Sequence, residues 1–287
     1  MTILVLGAYG LLGTTLCSYL DKKKYNIIKQ SREKFADCSF NPVEEYQMLD
    51  FIKRFKPCTV INLIAQTDVD KCEKFPNLAF EANVKVVQNL VNAHKKYPFH
   101  LIHISTDQLY EGEGPHSENS INPINVYSLT KFCAEILCQQ INSTILRTNF
   151  VGKSKSNKKL SFTDWLYKMF KSKNQINLFN DVIFNPIDIK TLCFVIEQCL
   201  LKDYRGTFNI GSRSFLTKEQ FGLKMAEGLN IDINERFNSV SYKTLNLYAK
   251  RPLNMSMDVS NWEKTTKSKL PTIKQVLEDI INEYKIS

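Results

Sequence analysis

The chain has 287 residues, 43% of them hydrophobic, with 18 Phe and 12 Tyr, which is enough to bury a sizeable core and too apolar for a disordered chain. No apolar run is long enough to cross a bilayer, and the N-terminus carries neither a basic segment nor a small-residue cleavage site, so a cytoplasmic protein with no membrane attachment is expected. The net charge of +9 comes from lysines scattered among acids without a nucleic-acid-binding signature, so nucleic acid is not an expected partner.

Residues 3–6 form an apolar run that reads as a buried first strand, and Leu11 to Leu20 carries apolar residues at helical spacing, closed by Lys22, Lys23 and Lys24 at the end the helix dipole favours. Tyr25 to Ile28 reads as a second strand. Glu44 to Phe55 reads as a helix stopped before Lys56-Pro57, and Thr59 to Ile64 as a strand. Then come a long helix from Asn77 to Tyr97, a strand from Leu101 to Ser105, a helix from Val126 to Ile141 and a strand from Ser143 to Arg147. Strands alternating with helices imply parallel βαβ units with right-handed crossovers.

After Thr148 the rhythm loosens. A lysine-rich stretch, Lys153-Ser154-Lys155-Ser156-Asn157-Lys158-Lys159, reads as a solvated loop or as an attractor for a diphosphate. Helices are expected over Ser161–Lys171, Asp188–Leu201, Thr217–Leu229 and Thr272–Tyr284, with a strand at Thr207–Ile210. Residues 1–150 are thus expected to form a core to which about 180–212 return, and 151–287 mainly a smaller lobe. The eight cysteines include no CxxC, and His94, His100, His103 and His116 have no metal spacing, so no metal site is expected. His103 lies in an apolar strand and reads as a packed neutral histidine.

The first strand runs into Gly7-Ala8-Tyr9-Gly10-Leu11-Leu12-Gly13. Gly7 permits a tight turn, Gly10 lets backbone approach a pyrophosphate, and Gly13 lets the helix pack closely on the strand. The helix N-terminus then faces an anion. This places a dinucleotide on a Rossmann-type, doubly wound parallel α/β sheet. At the end of the second strand, where an NAD site usually has an acid, stand Lys29-Gln30-Ser31-Arg32. Ser31 and Arg32 suit a 2′-phosphate, which favours NADP(H), with NAD(H) the alternative.

Tyr127 and Lys131 form Y-x-x-x-K, and positions i and i+4 share a helix face. An ammonium beside the phenol would lower its pKa from the usual ~10 and suit it to give a proton to a carbonyl oxygen while hydride arrives. Ser105-Thr106-Asp107 ends a strand about twenty residues earlier, at the edge where ligands bind, and Thr106 is placed to hydrogen-bond the same oxygen.

With these motifs in place, the chain resembles the extended short-chain dehydrogenase/reductases, and within them the dTDP-4-dehydrorhamnose reductase family. The segments that carry the likeness are Val60–Glu73, Ile104–Gly112, Asn122–Lys131, Ile145–Thr148, and Arg251-Pro252 with Asn254, Ser256 and Asp258. The resemblance implies reduction of a 4-keto group on a nucleotide-linked 6-deoxyhexose. It makes Tyr127 the acid, Lys131 its partner and Thr106 the polarising hydroxyl. It puts Tyr9, Leu11, Leu63, Ile64, Ala65 and Ser105 with the glycines against the cofactor. Asp107, Gln108, Phe150 and Arg251 fall on the substrate side, the 151–287 lobe binds substrate, and Asn83 stands at a family asparagine. Gln66 and Gln108 replace family tyrosines, Phe150 a tryptophan and Gly152 a tyrosine, all read as substrate-side departures. Gln108 stands where related dehydratases carry a glutamate, which argues against elimination chemistry. Any oligomer is expected to be a homodimer. A second reading, also from the resemblance, is a non-catalytic NADP-binding subunit like the β subunit of methionine adenosyltransferase.

Overall fold

The computed structural model describes residues 1–32, 36–156, 160–245 and 247–286. β1 (Thr2–Leu6) leads through the glycine turn into α1 (Leu11–Lys22), followed by β2 (Asn26–Ser31), β3 (Cys38–Ser39) and α2 (Glu45–Phe55). Lys56 ends α2 in the left-handed region at φ 41°, immediately before Pro57. β4 (Thr59–Asn62), α3 (Val69–Lys74), α4 (Pro76–Phe80), a π turn at Glu81–Lys85, α5 (Val86–Lys96), β5 (His100–Thr106), α6 (Val126–Cys138) and β6 (Ser143–Thr148) complete the first half. Among the described residues no helix is long and apolar enough to cross a membrane.

The second half holds β7 (Phe150–Val151), α7 (Phe162–Lys171), β8 (Ile176–Phe179), β9 (Ile183–Phe184), β10 (Ile187–Asp188) and α8 (Ile189–Leu201). β11 (Gly206–Ile210), β12 (Leu216–Thr217), α9 (Lys218–Gly228), β13 (Phe237–Val240), α10 (Ser260–Thr266) and α11 (Ile273–Lys285) follow. The main sheet has seven strands in the order β11-β6-β5-β4-β1-β2-β3. Every ladder in it is parallel. Strand order reverses between β1 and β4, and in such a sheet the ligand crevice opens at the carboxyl ends of those two strands.

Alternation along β1 shows why helices cover both faces. Ile3 and Val5 pack with Leu16, Leu20 and the buried face of α8, while Leu4 and Leu6 pack with Ile52, Leu90 and Ala134 of the opposite layer. A third cluster, including Val151, Leu166, Phe184, Phe221 and Ile280, lies outside the main sheet and draws only on residues after 150. The short pairs β7–β10, β9–β12 and β8–β13 belong to this second half.

Three expectations change. The helix read over Asn77–Tyr97 is interrupted by the π turn, whose wider winding carries Asn83. Its amide accepts from Gln66 N at 2.8 Å and donates to Thr130 Oγ1 at 2.9 Å, tying the segment after β4 to α6. The return to the core extends beyond residue 212, because Val259, Trp262 and Leu270 join the cluster beneath β11. The short α3 and α10 and the strands β8 and β13 were not anticipated from sequence pattern.

Candidate active site

The glycine turn is built as the fingerprint requires. Gly7 sits at φ +77°, donates to Gln30 Oε1 at 3.2 Å, and Gln30 in turn donates to Phe40 O at 2.9 Å. A Cβ on Gly13 would stand 2.4 Å from Gly7 O and 2.7 Å from Ala8 C, so only glycine lets α1 approach β1 this closely. Gly10 is different: a Cβ there would meet only Gly7 O, at 3.4 Å. The protein does not exclude that methyl; the crevice would hold it. Gly10 is also the N-cap of α1 and has no side chain to cap the helix, so the first N–H groups of α1 are left for a ligand.

Two chambers meet at Gly7, Gly10, Leu11, Leu63 and Ala65. The first, of about 340 Å³, brings the glycine turn together with Ser105, Thr106, Asp107, Gln108, Tyr127, Lys131 and Phe150. The second, of about 530 Å³, is lined by Tyr9, Ser31, Arg32 and Ile64 among others. All three sequence motifs therefore face one crevice at the carboxyl edge of the sheet. Thr67, Thr148 and Asn149 also line the first chamber, and Asn41, Val43, Ala82 and Ser156 the second. None of these was named individually as a site residue in the sequence. Thr148 and Asn149 follow directly from the rule that ligands meet the C-terminal ends of parallel strands. Ser156 comes from the lysine-rich stretch and donates to Tyr9 O at 3.2 Å; Asn157, Lys158 and Lys159 lie outside the described residues.

Local capping positions the tyrosine. Asn125 caps α6 by accepting from Ser128 N at 2.8 Å, and Asn125 Nδ2 donates to Lys250 O at 2.9 Å. Tyr127 then falls in the first turn of α6, buried, and lines the first chamber with Thr106. Burial pushes the phenol pKa well above its ordinary value, with Asp107 adding to the rise and Thr106 opposing it. The lysine head is turned under the sheet edge, where Nζ donates to Ile104 O at 2.7 Å and meets His103 Nε2 at 3.1 Å. Burial lowers Lys131 to about 8. The i, i+4 spacing puts both side chains in one pocket without pairing their heads.

Asp107 is fully buried, and that burial raises its pKa to about 6 despite the Asn149 amide 2.7 Å from Oδ2. Gln108 Oε1 and Thr148 Oγ1 are buried and have no protein partner, leaving two hydrogen-bonding atoms beside the chamber for a ligand. Ser105 lines the chamber, yet its hydroxyl donates to Glu135 Oε1 at 2.5 Å within a buried pair with Arg147. Its contribution to the crevice is backbone and volume. Among the described residues no group of three or more His, Cys, Asp or Glu is arranged to hold a metal.

Three residues read as substrate-side do not line the first chamber. Arg251 forms a two-pronged ion pair with Asp70 at 3.1 and 2.8 Å and is absent from the lining of both chambers. Gln66 lines the second chamber, not the first, because its backbone is held by Asn83. Gly152, at φ +143°, packs toward Ile189 and Glu283 and donates to Thr163 Oγ1 at 3.1 Å, away from the crevice.

Comparison with known proteins agrees with this geometry. The family model described as the RmlD substrate binding domain matches residues 1–286. The chain belongs to that family. Its relatives include a probable low-salt glycan biosynthesis reductase, Agl14, of Haloferax volcanii, 28% identical over 96% of each chain. A dTDP-4-dehydrorhamnose reductase of Aggregatibacter actinomycetemcomitans is 26% identical over 93% of this chain and 97% of its own. Methionine adenosyltransferase 2 subunit beta of Xenopus laevis is 26% identical over 91% of this chain and 81% of its own. Among solved structures, the dTDP-4-dehydrorhamnose reductase of Bacillus anthracis in complex with NADP superposes with a TM-score of 0.89 at 22% identity, covering 98% of this chain and 99% of that one. The RmlD-family resemblance read from the motifs is thereby borne out, as is the doubly wound fold.

Proposed function

We propose that this protein is an NADPH-dependent reductase acting on the 4-keto group of a nucleotide-linked 6-deoxyhexose. The observation that carries the reading is the convergence of the glycine turn, Thr106 and Tyr127 on one crevice. Membership of the RmlD family and likeness to two reductases support it.

The crevice fits a dinucleotide. Gly10 leaves room where a methyl would project, the uncapped start of α1 offers N–H donors to a pyrophosphate, and Ser31 and Arg32 line the second chamber where a 2′-phosphate belongs. NADP(H) is the proposed cofactor and NAD(H) the weaker substitute. Bound NADPH supplies hydride to the carbonyl carbon. Thr106 and Tyr127 hold the carbonyl oxygen, and the Tyr127 O–H bond breaks as its proton moves to that oxygen, giving an alcohol. The phenolate left behind regains a proton from solvent. Burial keeps Tyr127 protonated, the form an acid requires. Asp107, Gln108, Thr148 and Phe150 form the sugar-side wall. The reaction is placed in the cytoplasm, and any assembly is a homodimer.

The test is oxidation of NADPH followed by absorbance across a panel of nucleotide-linked 4-keto-6-deoxysugars. Tyr127→Phe should retain NADPH binding and lose about 10²–10⁴ in kcat. Undiminished turnover in that variant would sink the assignment. Intact NADPH binding with no turnover on any sugar would instead favour a binding subunit of the methionine adenosyltransferase β kind.

A further inference from the structure

Lys218 opens α9, and its place is set by what precedes it. Thr217 closes a capping box with Gln220: Thr217 Oγ1 accepts from Gln220 N at 3.1 Å, and Thr217 N donates to Gln220 Oε1 at 3.0 Å. Lys218 N donates to Val182 O at 2.9 Å, and β12 pairs antiparallel with β9. The segment after Arg251 also binds β9, where Ile183 N donates to Leu253 O at 2.6 Å and Met255 N donates to Ile183 O at 2.9 Å. Lys218 and Arg251 thus come from segments held on one short strand of the later lobe.

The ammonium of Lys218 lies 5.5 Å from the centre of the Phe162 ring. The charged groups that act on it are Asp107, from the wall of the first chamber, and Arg251. Among the described residues its Nζ forms neither an ion pair nor a hydrogen bond. Asp107 is already held by Asn149 and Thr106, and Arg251 by Asp70. The Lys218 side chain is half-buried, and burial lowers its pKa, so a charge is partly withdrawn from water with no partner in the chain. An anion brought by a ligand would supply that partner.

We propose that Lys218 is a substrate-binding residue: reaching from the later lobe toward Asp107, its ammonium takes the phosphate on C1 of a nucleotide-linked sugar. The choice of that phosphate rests on the reductase reading. C1 and C4 face each other across a pyranose ring, so a sugar whose C4 oxygen meets Thr106 and Tyr127 presents C1 at its far end. Asp107 follows Thr106 along the wall, and Lys218 faces Asp107. A diphosphate arriving there is repelled by the Asp107 carboxylate, and the ammonium offsets that repulsion.

The test uses the full-length protein saturated with NADP⁺. Calorimetry compares the diphosphates of uridine, thymidine, guanosine and cytidine with the corresponding monophosphates, which lack the phosphate that would carry the sugar. The wild type should bind at least one diphosphate about tenfold or more tightly than its monophosphate. Lys218→Gln should close that gap and leave NADP⁺ affinity unchanged, and Lys218→Arg, which keeps the charge, should keep the gap. A wild type without the preference, or a gap that persists in Lys218→Gln, overturns the proposal. Should Lys218→Gln fail to fold, Lys218→Met, which keeps an apolar stem over Phe162, takes its place. A gap that closes in a protein that reduces no 4-keto sugar would sink the reductase reading and leave the phosphate site standing. Turnover with an unchanged KM for the sugar in Lys218→Gln, beside a gap that stays open, would do the reverse.

Discussion

Burial holds the Asp107 carboxyl at about 6, against an ordinary 3.8, although Asn149, Lys218 and Thr106 all favour its charged form. Desolvation therefore wins at this position. Below the ordinary carboxylate value the group is protonated in folded and unfolded chains alike and costs nothing. Between that value and its folded pKa the unfolded chain releases the proton first, so stability falls as pH rises, and above about 6 the whole penalty is present. At 1.36 kcal/mol per unit the ceiling is roughly 3 kcal/mol. Asp107→Asn should therefore raise the unfolding free energy read from urea titration near pH 8 by about 1–3 kcal/mol and leave it unchanged near pH 3. Equal shifts at both pH values would show that burial of the charge is not the cause. Such strain at the wall of the crevice fits a residue placed there for a ligand. The sequence located this acid, and its two neighbours Ser105 and Thr106, by their place at the end of β5. It could not reveal that Ser105 is bound to Glu135 or that Lys131 is bound to His103, because those partners are set by distances between β5 and α6 that no local pattern encodes.

At the scale of elements, β1, β4, β5 and β6 were legible because strands covered on both faces are continuous apolar runs, and α6 because its face and cap agree. β8 and β13 were not: they pair across some sixty residues, and the exposed positions Asn177, Asn238 and Ser239 interrupt their apolar pattern. The π turn escaped because one added residue is invisible to a 3.6-residue period. The βα unit around the glycines allows a prediction that separates packing from binding. Gly13→Ala drives a methyl into the backbone of Gly7 and Ala8, so α1 must lift from β1, costing about 1–3 kcal/mol and the cofactor site with it. Gly10→Ala meets only one atom at 3.4 Å, so its unfolding free energy should stay within about 0.5 kcal/mol. Its NADPH affinity should nevertheless fall about tenfold or more, because the methyl occupies the approach to the pyrophosphate. Thermal melts beside fluorescence titrations of NADPH read both; a Gly10→Ala protein that binds normally would remove the pyrophosphate from this turn.

Across the whole molecule the chain crosses twice between the sheet and the later lobe. β11 extends the sheet beside β6, and α10 returns to bury Trp262 edge-on against Tyr204 and Phe208. Between them, Asn209 accepts from the buried Tyr110 hydroxyl at 2.6 Å and donates to His116 O and Asp258 O at 3.0 and 3.1 Å. Trp262 thus shares one apolar cluster with Ile3, Val5 and Leu146, a return to the core beyond the stretch of about 180–212 expected from the sequence. The physical reason is that a tryptophan in a seven-residue helix gives no periodic signal, while its 1% exposure shows that it is core. Removing that ring leaves a cavity, and Trp262→Ala should cost about 3–5 kcal/mol. That is a large share of the roughly 5–15 kcal/mol of a typical domain, so the variant should melt far below the wild type. The transition should also be single, with NADPH binding lost as the C-terminal helices unfold, because Leu12 of α1 belongs to both the cluster and the cofactor crevice. Excess NADPH should raise the melting temperature of this variant, since ligand bound only to the folded chain stabilises the whole of it. Two separate transitions, with NADPH still bound after the first, would show instead that the first half holds its crevice without the returning helices.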